Sequence, residues 1–156
     1  MLDYFLLLIL SFLGLLIGLV IGYLAKEELK PGIKYLHALK YLILALIIIL
    51  FCLKNLTNTL AIALVAIILL RSYFSKFSDK LFYASLAIML FLSWALAGVS
   101  LIAPLIFAYG LPLGSIYLHD HIKDEKNKKK MLAALFKEYY AFLAMGLLLA
   151  ILGLFL

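Results

Sequence analysis

The stretch His119-Asp120-His121-Ile122-Lys123-Asp124-Glu125 gathers the densest set of side chains able to do chemistry. Imidazoles and carboxylates ligate divalent cations and exchange protons. On a helix, Asp120 and Asp124 share a face, as do His121 and Glu125. A metal needs three or four converging ligands. His119, Asp120, His121 and Asp124 form the candidate set, with His37, Glu27 or Glu28 able to join from the same side. A cation held there over lipid phosphates would suit a headgroup transferase or phosphatase. The competing reading is a solvated cluster beside a membrane, and the loose spacing favours it. The paired-Asp pattern of headgroup transferases and the Gly-Asp arrangement of membrane aspartyl proteases are absent from the sequence.

A second candidate lies just upstream, in "APLIFAYGLPLGSIY" (103–117). Pro104 and Pro112 each lack a backbone donor, and Gly110 and Gly114 flank the second proline. Apolar helices interrupted by Gly and Pro recur at transporter binding sites, where freed carbonyls coordinate substrate or ion. Tyr109 is the one tyrosine expected near a bilayer midplane. The sequence thus predicts a substrate-binding crevice at Tyr109, Gly110, Pro112 and Gly114, against segments carrying Gly14 and Gly146 at the same depth. The alternative is a proline kink with glycine packing. No Asp or Glu lies in the middle of an apolar segment, which argues against proton- or sodium-coupled transport. Ser93 and Ser100 have no histidine near them in the sequence to activate them.

A third candidate is a cytoplasmic mouth formed by Glu27, Glu28, His37 and Lys40. His37 and Lys40 are three residues apart on one helix face. Lys40 lies deep enough in its apolar run to need either snorkelling or a partner.

The elements that must position these groups follow from composition. Of the 156 residues, 68% are hydrophobic and 14% charged, against roughly 45–50% and 25% in ordinary globular proteins. A soluble fold of this size cannot hide so much apolar surface, so lipid is the expected solvent. A spanning helix needs about 20 apolar residues. Six segments meet this, at about 4–25, 33–53, 57–73, 80–97, 99–118 and 136–156. Asp3 and the length of the first run argue against a secretory signal peptide. Pro31-Gly32 predicts the first turn, and "MLAALFKEYY" (131–140) a short interfacial piece leading into the last segment.

Lysine and arginine cluster in the first, third and fifth connections: Lys26, Lys30 and Lys34; Arg71, Lys76 and Lys80; and five lysines in 123–130. Those connections are therefore expected on the cytoplasmic side. Tyr23, Tyr35, Tyr41, Tyr73, Tyr83, Tyr117, Tyr139 and Tyr140 fall near the same ends, where interfacial aromatics collect.

Gly14, Gly18 and Gly22 lie four apart, on one helical face. In lipid the hydrophobic effect does not drive helices together, and close backbone approach does. The three glycines, with Gly146, are read as helix-packing residues that seat a neighbouring helix of this chain, a second copy, or a membrane-protein partner. Cys52 stands alone and is read as a packing residue.

The sequence therefore predicts an all-α polytopic transmembrane bundle of the cell membrane. It forms one domain over 1–156, with six spans, both termini outside and a cytoplasmic juxtamembrane segment at 119–135. Anionic lipid headgroups are the expected partners of its +6 formal charge. Nucleic acid is not expected, because the basic residues lie between apolar runs and only one is arginine. No cofactor is implied. Three functions stay open, in this order: transport or permeation at the Pro/Gly-rich fifth segment; a structural or assembly subunit docking through its glycine face; and an enzyme acting on lipid headgroups at the cytoplasmic rim.

Overall fold

Long apolar runs offer the backbone no polar side chains to bond with, so its N–H and C=O groups pair within each run, as helices. The computed structural model describes residues 2–54, 79–97, 101–121 and 128–155. These residues form α1 (Leu2–Leu24), α2 (Lys26–Lys54), α3 (Asp79–Ala97), α4 (Ile102–His121) and α5 (Lys128–Phe155). Four of the five, α1, α2, α4 and α5, are long and apolar enough to cross a membrane; in α3 the apolar stretch Phe82–Ala95 is shorter. The expected third segment at 57–73 lies outside the described residues.

Two expected boundaries differ. The first turn is not at Pro31-Gly32 but at Ala25, whose N–H donates to the Ile21 carbonyl while its own carbonyl accepts from Glu28 N–H. Pro31 lies inside α2. Its missing donor leaves only the Glu27 carbonyl unpaired, and Glu27 and Pro31 are both exposed, so solvent can satisfy that carbonyl. The φ that proline imposes is itself helical, so the helix runs through. At the other end of the chain, α5 begins at Lys128, and "MLAALFKEYY" is its continuous first part rather than a separate interfacial piece.

The dominant contact is α1 on α4, and the two run parallel. Gly14 faces Phe107, Gly18 faces Leu111, and Gly22 faces Ser115 and Leu118. The fit is reciprocal: Gly110 meets the backbone of Gly14 and Leu15, and Gly114 that of Leu15 and Leu19. A Cβ at Gly18 would lie 2.2 Å from the Leu111 carbonyl oxygen, and one at Gly114 2.2 Å from that of Leu15. No side chain fits there. The Ser115 hydroxyl adds a cross-helix bond, donating to the Gly18 carbonyl at 2.8 Å.

α3 and α5 pack together and lie antiparallel to α1. Tyr4 of α1 donates to the Gly146 carbonyl of α5 at 3.1 Å, and its ring sits edge-on to Phe91 of α3. Tyr83 of α3 donates to the Ser11 carbonyl of α1 at 3.1 Å. The Ser11 hydroxyl bonds back to Leu7 at 2.7 Å and across to Ala103 at 3.3 Å. The buried hydroxyls of Tyr4, Ser11, Tyr83 and Ser115 thus find carbonyls on neighbouring helices, which fixes the rotational setting of those helices. Outward faces stay apolar: Leu6, Ile9 and Ile17 of α1 and Leu148, Ile151 and Leu152 of α5 are exposed.

Candidate functional site

Charge concentrates at one end of the bundle, where α3 starts and α4 stops. Asp79 and Lys80 open α3 and point to different neighbours. Lys40 of α2 donates to both carboxylate oxygens of Asp79 at 3.1 Å. The Lys40 side chain is 5% exposed and that of Asp79 47%. Lys80 pairs instead with Glu138 of α5. Two ion pairs therefore tie the start of α3 to α2 on one side and α5 on the other.

Aromatic rings floor this end. Tyr117 stacks on His121 at 4.2 Å, one helical turn away, and meets Tyr139 edge-on at 6.0 Å. The His121 Nδ1 lies 3.0 Å from the Tyr117 carbonyl. A carbonyl only accepts, so Nδ1 carries the proton, and Nε2 is left as the working nitrogen. His119 turns to its neighbour Asp120, Nδ1 to Oδ1 3.1 Å.

Between these groups lies a cavity of about 490 Å³ lined by Lys80, Tyr117, His121, Met131, Lys137 and Glu138. A smaller one of about 190 Å³ shares Lys80, Tyr117, His121 and Glu138 and extends to Asp79, Asp120 and Tyr139. Together they form a cleft among α3, α4 and α5 with cationic, anionic and apolar walls. Ligand sites combine those features: apolar area for affinity and a few polar groups for orientation.

No protein-family model, curated protein or solved structure matches the chain. Its chemistry has to be read from this geometry alone.

The residues singled out in the sequence are distributed as follows. Of the proposed metal set, Asp120 and His121 border the cleft, His119 is occupied by Asp120, and Asp124 lies outside the described residues. Among the described residues no three His, Cys, Asp or Glu side chains come together as a metal requires. Of the expected mouth, Lys40 is drawn away to Asp79, Glu27 is exposed and His37 half-buried. Glu28 borders a separate apolar groove of about 280 Å³ at the α1–α2 elbow, with Gly22, Leu29, Gly32 and Ser115.

Tyr109, Gly110, Pro112 and Gly114 are all buried. Tyr109 is 1% exposed and stacks on Tyr83 at 6.3 Å. The helix is continuous through Pro112. The space left by Gly110 and Gly114 is filled by the backbone of α1. Gly146 receives the side chain of Leu8.

Sequence reasoning missed Asp79 as the partner of Lys40, and it missed Lys137 and Glu138 altogether. A signal was present. Lys137-Glu138 interrupts an otherwise apolar run from Met131 to Phe142, and charges in such a run need a partner or a polar cavity.

Proposed function

We propose that this chain is a multi-pass integral membrane protein whose working site is the charged cleft among α3, α4 and α5, and that the cleft binds the polar headgroup of a lipid. Four helices long and apolar enough to cross a membrane support the first part. So do their exposed Leu and Ile faces, which water would not tolerate in such numbers.

The six-span reading draws support from Lys40. It sits beside Asp79, yet α2 continues for 14 residues to Lys54, about 21 Å farther along the axis. The chain leaves α2 near one level of the bundle and enters α3 near the other. A crossing between them is what six spans require, with the Asp79 end cytoplasmic by the lysine rule.

The observation that carries the functional reading is the cleft itself. It places Lys80, Lys137, His121 and Glu138 around a headgroup-sized space with Met131 and Tyr117 in its walls. That is the wall chemistry of an amphiphile site, with charge for the head and apolar surface for the adjoining chain. The glycines of α4, which together with its prolines suggested a transport crevice, are engaged in packing against α1. The cleft therefore carries the function better than the midplane does.

Native mass spectrometry of the protein released from nanodiscs tests this reading. A lipid should stay bound to the parent protein, and Ala134→Trp, which plugs the wall of the cleft, should remove it. Equal retention in both would contradict the proposal.

A further inference from the structure

We infer that the headgroup taken by the cleft is a phosphate, held between Lys80 and Lys137, and that Glu138 is an internal competitor occupying the ligand's place on Lys80. This rests on the headgroup reading and names its chemistry.

Lysines and carboxylates around the cleft balance in number, but their pairing leaves one lysine open to an anion. Asp79 is committed to Lys40, and Asp120 to His119. Glu138 is committed to Lys80. Each carboxylate thus already has a cationic or imidazole partner. Lys137, by contrast, is exposed beside the cavity and pairs with no carboxylate among the described residues. The His121 imidazole, whose Nδ1–H is turned to the Tyr117 carbonyl, presents Nε2 as an acceptor and adds no donor for an anion while it is neutral. Lys137 is thus the uncommitted charge, and its natural complement is negative.

The Lys80–Glu138 pair marks where that negative group belongs. The Lys80 side chain is 48% exposed and that of Glu138 19%. Both border both cavities. The ammonium half of this pair is open to water while Glu138 is mostly enclosed, so an entering phosphate can reach Lys80 but must displace a partly buried carboxylate. A phosphate presents more oxygens and more charge than Glu138 and can contact Lys80 and Lys137 together. Glu138, left behind, weakens binding by repulsion. Its removal should therefore strengthen the site, the opposite of what a ligand amine would give.

The same oxygens occur on a phosphate-monoester lipid and on free phosphate, and the test separates the two. Binding of dioctanoyl phosphatidic acid and of inorganic phosphate is measured by calorimetry on the full chain in a non-ionic detergent. Lys80→Gln and Lys137→Gln should each weaken phosphatidic acid binding about tenfold, and Glu138→Gln should strengthen it several-fold. A misfolded variant cannot produce that gain. Phosphatidic acid binding without phosphate binding assigns the site to lipid. Equal binding of inorganic phosphate assigns it to the soluble ion and overturns the lipid source. Weaker binding in Glu138→Gln, or no binding of either probe, overturns the phosphate assignment. Retention of some other lipid in the nanodisc experiment would then leave the headgroup reading standing.

Discussion

Lys40 and Asp79 form an unequal pair: the ammonium is nearly enclosed, while the carboxylate it grips at 3.1 Å is half open to its surroundings. The two partners therefore depend on each other to different degrees. Among the described residues, Lys40 is held by Asp79 and lies near the Tyr41 ring, whose centroid is 5.3 Å away. Asp79 keeps access to its surroundings, with its side chain 47% exposed.

Removing the carboxylate should accordingly cost more than removing the amine. Asp79→Asn leaves a buried ammonium uncompensated and is expected to destabilise the protein by about 1–3 kcal/mol, below the usual figure for a fully buried pair because Asp79 is half exposed. Lys40→Met should cost less. The double variant should resemble Lys40→Met alone. Denaturant unfolding in detergent micelles checks the order, and equal costs for the two single variants would show that the asymmetry has no energetic weight.

The α1–α4 contact makes a second prediction by position. Gly18→Ala forces a Cβ onto the Leu111 carbonyl oxygen and the Gly110 backbone. Backbone on both sides cannot yield, so a loss of about 1–3 kcal/mol is expected. At Gly146 the obstacle is the flexible end of Leu8, which can rotate away. Gly146→Ala should be the milder change in the same unfolding assay. A reversed order would mean that the backbone contact is less close than described.

Gly32 behaves in the opposite sense. It lies within α2, and a Cβ there would meet nothing within 4 Å. Gly32→Ala is therefore expected to stabilise the protein by up to about 1 kcal/mol through helix propensity. Had Pro31-Gly32 formed the turn, the same change would destabilise it. Thermal unfolding of this one variant distinguishes helix from turn.

These cases show what was legible in the sequence. Helical geometry puts Gly14, Gly18 and Gly22 on one face whatever the fold, so a close-approach surface could be read directly. Its partner could not, because nothing in the spacing says which helix will meet it. The partner turns out to be α4, whose own Gly110 and Gly114 fit the same seam. Those two glycines suggested a crevice only because a small residue is equally compatible with empty space and with a neighbour's backbone. Lys40 announced that it needed a partner. Asp79, 39 residues away, carried no local mark as that partner. At Pro31 a local turn preference competed with solvent able to satisfy one lost bond, and helix continuity won. The cleft was the least legible feature. Its walls come from the beginning of α3, the end of α4 and the first half of α5, which only folding assembles.

The most direct measurement of the headgroup reading is photo-crosslinking in native membranes. A photoreactive amino acid is placed at position 134, in the cleft wall, and in a second protein at position 148, on the exposed apolar face of α5. The reading predicts headgroup-linked adducts from position 134 and only acyl-chain adducts from position 148. Acyl-chain adducts at both positions, or no lipid adduct at 134, would contradict it.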